Sequence, residues 1–192
     1  MTRPLNSPAV YVLRSIKLPQ SAKHVMTEID SSLASVDAAV DALLATSDRV
    51  GAAWKIPRAP GKWSPSQVVE HVARIMEEST KVAAGEPSAF PTMPRLFRPF
   101  MRLFFFKRIL RKNDFPKAKA IDAMDPAVGA ATPKDARVRL EGVVCRFDQV
   151  CRAQAASGEK VCNPMFGPVA VADFARFQAI HVHHHHLQLP GT

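Results

Sequence analysis

Five of the seven histidines stand within six residues, His181, His183, His184, His185 and His186. The stretch Phe166–Gln188 reads as a helix beginning after Pro168. On a helix, residues three or four apart share a face. Phe174, Phe177, Gln178, His181, His185 and Gln188 therefore form one stripe. Its two aromatics must face a core, which turns His181 and His185 inward. His183 falls on the opposite side, and His184 and His186 fall off the stripe. Two inward imidazoles one turn apart are a metal chelate by geometry, since imidazole is the commonest metal ligand. A histidine-rich helix end with no metal is the plainer alternative. A purification-tag remnant fits poorly, because a valine interrupts the histidines and the chain continues as Leu-Gln-Leu-Pro.

A pair alone would bind weakly, so a third ligand is needed. His71 can supply it. Trp63-Ser64-Pro65-Ser66-Gln67 is a helix start, with Ser64 as cap, Pro65 at the first position and Gln67 completing a capping box. The helix it opens runs to about Ala84, and Val68, His71, Val72, Ile75, Met76 and Val82 make its apolar stripe. A lone histidine on such a face reads first as a core residue; beside an inward pair it becomes a ligand candidate. Three neutral imidazoles leave one to three positions for water or substrate, which distinguishes catalytic from structural sites. Gln188, one turn beyond His185, is either a polar helix end or a contact to a ligand.

The remaining elements must bring these parts together. A first helix over about Lys23–Ala45 keeps Val25, Ile29, Leu33, Val36, Val40, Leu43 and Leu44 at three-and-four spacing. Another starts at the cap Thr132-Pro133-Lys134-Asp135 and carries Leu140, Val143, Val144, Phe147 and Val150, with Gly158 as its stop. Asn163–Pro168 is read as a loop, and no strand pattern stands out. Arg98–Lys112 predicts a short helix whose Phe, Leu and Ile occupy nearly every direction, interrupted by cations; its plain reading is a packed helix with snorkelling arginines. The expected fold is all-α: a four-helix bundle over 23–189 with a short extra basic helix in its crossover, preceded by an arm at 1–22.

Composition adds limits. Of 192 residues, 47% are hydrophobic and 22% charged, an ordinary globular balance. No apolar run is long enough to span a bilayer and no signal-peptide core is evident, so the expected location is cytoplasmic. Cys145, Cys151 and Cys162 make an odd set without close pairing; Cys145 and Cys151 are read as small core residues. The net charge of +9 is concentrated between Arg95 and Lys119, where nine cations face Asp114 alone. The body is near neutral, so whatever the charge serves is local.

Trp63–Val72 with His71, followed about a hundred residues later by Asn163-Pro164-Met165-Phe166-Gly167-Pro168 and His181-x-x-x-His185-x-x-Gln188, resembles the DinB-like (YfiT-like) superfamily. The resemblance covers roughly residues 25–189, and departs where Phe174 replaces the usual late-helix Trp. It implies an up-down-down-up four-helix bundle, often a homodimer, with a divalent metal (zinc, nickel or iron) on His71, His181 and His185. It further implies transferases and isomerases that use bacillithiol, mycothiol or another low-molecular-weight thiol.

The functional expectation is thus a metal-dependent transferase joining such a thiol to a small-molecule electrophile. One alternative is a non-catalytic, stress-associated metal-binding bundle. Another makes the basic segment primary, docking to an anionic membrane or nucleic acid. No catalytic acid or base is assigned; Glu70, Glu77, Glu78 and Glu141 are available.

Overall fold

A computed structural model describes residues 20–116 and 121–192, with side chains from Val25 onward in those spans. The expected N-terminal arm lies outside the described residues except for its last three, which already belong to the first helix. Four long helices dominate: α1 (Gln20–Arg49), α2 (Pro65–Ala83), α5 (Pro133–Ala156) and α6 (Val171–His186). Between α2 and α5 lies a second, shorter helical run. It consists of α3 (Arg98–Met101), a π turn (Arg102–Phe106) and α4 (Lys107–Lys112). Short 3-10 turns cover Gly51–Lys55 and Asp122–Met124.

Both capping boxes form. Ser64 Oγ accepts from the Gln67 N–H at 3.4 Å while Gln67 Oε1 accepts from the Ser64 N–H at 3.0 Å. Thr132 and Asp135 make the same reciprocal pair at 3.1 and 3.2 Å. Each box satisfies N–H groups that a helix start otherwise leaves unpaired, which fixes where α2 and α5 begin.

The helices share one core. α1 lies along α6 in the most extensive helix–helix contact, α2 lies along α5, and α1 also meets α5. Ile29, Leu33, Val36, Val40, Leu43 and Leu44 of α1 are buried as their spacing predicts. Val25 is not: at 44% exposed it stands beyond the end of the core. α1 also runs four residues past the expected end, to Arg49. From α5, Leu140, Val144 and Phe147 are buried, while Val143 and Val150 are half-buried at the stripe's edge. Cys151 belongs to this core, and burial pushes its thiol up to about 12. Cys145, expected beside it, is exposed, because it sits one position off the stripe. Across the α2–α5 face, Arg139 forks onto Glu70 and Glu77 at 2.8 to 3.2 Å.

One departure from an all-helical expectation is a small antiparallel hairpin, β1 (Val161–Asn163) with β2 (Gly167–Val169). Asn163 Oδ1 accepts from the N–H groups of Met165 and Phe166, which closes its turn. Gly167, at φ +72°, supplies a backbone conformation that side chains disfavour. Three-residue strands leave too short an alternation to read from sequence.

The connection over 121–131 is pinned to α2 and to the segment before it rather than loose. Trp63 Nε1 donates to Asp125 Oδ1 at 2.9 Å, Gln67 Nε2 to the Pro126 carbonyl at 3.0 Å, and Trp54 Nε1 to the Ala130 carbonyl at 3.0 Å. Gly129 passes so close to α2 that an added Cβ would lie 2.3 Å from backbone atoms of Ser66. Gly142, on the exposed side of α5, has nothing within 4 Å of the same position. Gly129→Ala should therefore destabilise the fold by about 1–3 kcal/mol through backbone overpacking. Gly142→Ala should stabilise it by about 0.5–1 kcal/mol through helix propensity. Urea midpoints of the two variants check this; shifts in the same direction would contradict the close approach.

Candidate metal centre

His71 lies in the second turn of α2, and His181 and His185 lie one turn apart near the end of α6. All three are buried, at 3%, 7% and 6% exposure. One ring nitrogen from each lies within 4.8 Å of the other two. Ring centroids are 5.6 Å apart for His71–His181, 4.6 Å for His71–His185 and 4.5 Å for His181–His185. Two distant parts of the chain thus bring three imidazoles to one point. The other histidines of the run stay out of the cluster. His183 is exposed and His184 is partly exposed. His186 turns to α1, where its Nε2 lies 3.0 Å from Thr46 Oγ1.

Outer hydrogen bonds set which nitrogen faces the cluster. His71 Nδ1 lies 2.8 Å from the Met124 carbonyl. A carbonyl only accepts, so Nδ1 carries the proton and Nε2 is the bare nitrogen. His185 Nδ1 lies 3.1 Å from Gln188 Oε1, and Gln188 Nε2 lies 3.1 Å from His184 Nε2. The Gln188 amide thereby accepts from His185 and donates to His184, which leaves His185 Nε2 bare as well. Sequence reasoning had no means of finding Met124, because its contribution is a backbone carbonyl in a connection read as a loop.

His185 Nε2 and His181 Nε2 are 3.1 Å apart. Two imidazoles on one ion at about 2.0–2.1 Å each are separated by roughly 3.3 Å in tetrahedral geometry, so this spacing fits a shared cation. A single N–H···N bond between the rings also fits the distance. It would serve one of the two bare nitrogens and leave the other without a donor from the cluster. His181 Nδ1 is buried without a hydrogen-bond partner among the described residues. A cation accepts a lone pair from all three rings, whereas a single N–H···N bond serves one of them, so the donor set suits a cation.

Protonation state agrees. Desolvation pushes the His71 imidazole below its ordinary range, against the opposing pull of the Met124 carbonyl and Asp125. Burial, reinforced by His185 and His71, holds His181 well below it. Burial and the nearby His71 bring His185 to about 3, with Gln188 opposing. All three rings are neutral at physiological pH and keep a lone pair to donate.

Aromatic rings wall the cluster. Trp63 packs 4.6 Å from His71 and 6.1 Å from His185, and Phe115 packs 4.8 Å from His181. Phe115, just beyond α4, carries no sequence signal for this role. The carboxylates available as acid or base are engaged elsewhere. Glu70 and Glu77 hold Arg139, Glu78 holds Lys81 and the Ala89 N–H, and Glu141 holds Arg137.

Fold and centre together define a mostly helical protein with a buried three-histidine cluster suited to a metal ion. The chain belongs to the family described as "Protein of unknown function (DUF1569)", whose pattern matches residues 26–191. No curated protein and no solved structure matches the chain.

The buried neutral rings give a signed pH dependence. In the unfolded chain each imidazole takes up a proton near pH 6.5, whereas in the fold His185 does so only near 3. Below about pH 6.5 the unfolded state binds more protons, so stability is full above that pH and declines on acidification. Between pH 7.5 and 5, His185 alone should account for about 2 kcal/mol in the metal-free protein. Denaturant titrations across this range check it. His185→Asn should flatten the slope by that share, and an unchanged slope would show that burial does not hold this ring neutral.

Proposed function

We propose that the protein binds one divalent metal ion through His71, His181 and His185 and is a metal-dependent transferase of the DinB-like kind. On this reading a low-molecular-weight thiol is one substrate and a small electrophile the other. The observation that supports it most is the convergence of three neutral imidazoles, two with their outer nitrogens already committed to protein acceptors. Such outer bonds orient ligands and raise their basicity. When bound, a divalent ion supplies Lewis acidity that lowers the pKa of water or thiol at its open positions. Zinc, nickel and iron all suit three imidazoles.

The chain's own residues have definable tasks. The Met124 carbonyl holds the His71 ring, and Gln188 holds the His185 ring. Trp63 and Phe115 limit water around the cluster. The DinB-like bundle, the thiol and the transferase class rest on the sequence resemblance and on the compatible order of four long helices. A second reading, metal binding without turnover, is favoured by one observation: the four acidic residues considered as acid or base are all tied into other contacts.

Elemental analysis of protein purified without a polyhistidine tag should find about one metal per chain. His71→Ala and His185→Ala should each lose it, and full stoichiometry in both would refute the site. Gln188→Ala should keep the fold and weaken metal affinity by about 10–100-fold, measured by chelator competition. Incubation with several low-molecular-weight thiols and a generic electrophile separates the two readings. Metal-dependent thiol consumption supports the transferase; its absence in metal-loaded protein supports the binding role.

A further inference from the structure

The helical run from Arg98 to Lys112 presents two faces of different character. Phe106, Ile109 and Leu110 are buried against the body, with Met101 and Phe105 partly buried beside them. The π turn adds one residue to the helical register between these groups, which lets residues on both sides of it reach the core. The opposite face is apolar too. Phe100, Leu103 and Phe104 are 51% to 57% exposed, and Leu96 and Phe97, in the turn just before Arg98, are 87% and 57% exposed. Phe100 and Phe104 touch each other, with ring centroids 4.5 Å apart. Five large apolar side chains within nine residues exceed the scattered exposure ordinary for a monomer surface.

Cations frame this ridge. Arg95 precedes it, and Lys107, Arg111 and Lys112 follow it, all exposed. Among the described residues these four make no ion pair, and the one acid of the segment is Asp114. Beside the ridge, Arg95, Arg98 and Arg102 line a shallow recess of about 280 Å³ bordered by Phe166, Gly167 and Pro168. Arg98 and Arg102 are braced there by bonds to the Met93 and Pro168 carbonyls, at 2.9 and 3.0 Å.

We infer that this face docks the protein on an anionic membrane surface, with the phenylalanines and leucines in the acyl boundary and the cations among phosphate headgroups. Interfacial helices combine apolar side chains with Lys and Arg in this way. No described helix is long and apolar enough to cross a membrane, so the contact is peripheral. A second copy fits the same face poorly: a two-fold contact would set the cations at one end of the ridge against those at the other end of its partner. Nucleic acid answers the charges but gives Leu96 and Leu103 nothing to pack against. The inference uses none of the histidines and stands apart from the metal reading.

Flotation of the full chain with phosphatidylcholine vesicles, with and without phosphatidylglycerol, tests it. Binding should require the anionic lipid and weaken as salt rises. Phe100→Ser with Phe104→Ser, and separately Lys107→Glu with Arg111→Glu, should each reduce binding by about tenfold or more at unchanged helical content and unfolding midpoint. Phe100→Trp should show a blue-shifted emission quenched by acyl-brominated lipid. Several results would overturn the inference. These are no binding to anionic vesicles, vesicle binding indifferent to the serine pair, and duplex DNA binding of equal strength that is likewise indifferent. A dimer lost in the serine pair and lacking vesicle affinity would assign the face to a second copy instead.

Discussion

Three uncharged imidazoles packed together out of water set terms that the surrounding structure has to meet. A buried ring that charges loses its hydration, and one that stays neutral still needs a partner for each nitrogen. His71 meets the second requirement through a carbonyl from the 121–131 connection, and His185 through the Gln188 amide just past the end of α6. Those contacts turn the remaining lone pairs toward a common point. The centre is consequently as dependent on a pinned connection as on its helices.

That dependence explains why the connection is held so tightly. Trp54, Trp63 and Gln67 each donate to it, and Gly129 lets it lie directly on the start of α2. Trp63 serves twice, since its indole also packs on His71. The capping box that starts α2 therefore fixes more than a helix boundary. It places His71 at a set distance from the residues that anchor its carbonyl partner.

Much of this was legible in the sequence, for identifiable reasons. Ser64 and Gln67, Thr132 and Asp135 are local signals, and they mark helix starts wherever the chain goes afterwards. The apolar stripe of α2 places His71 inward, and Phe174 and Phe177 do the same for His181 and His185. Non-local features were not legible. The Met124 carbonyl has no side-chain signature, Phe115 reaches His181 across the fold, and the hairpin at 161–169 is too brief to show a period. Cys145 misled because a stripe read by spacing has an uncertain edge, and the burial of α5 is narrower than that of α2. Apolar side chains of Arg98–Lys112 point in nearly every direction, and only the structure separates the covered residues from the exposed ones, which a fully packed helix does not have.

The pairing of α1 with α6 carries a further implication for how the molecule comes into being. Helices so far apart in the chain can meet only after a long loop closes, which slows folding relative to bundles built from neighbours. The α1 stripe of Ile29, Leu33, Val36 and Val40 is therefore buried only once distant parts of the chain have come together. The same late docking delivers His181 and His185 to His71. The interior between α1 and α6 and the histidine cluster therefore both depend on α6 docking.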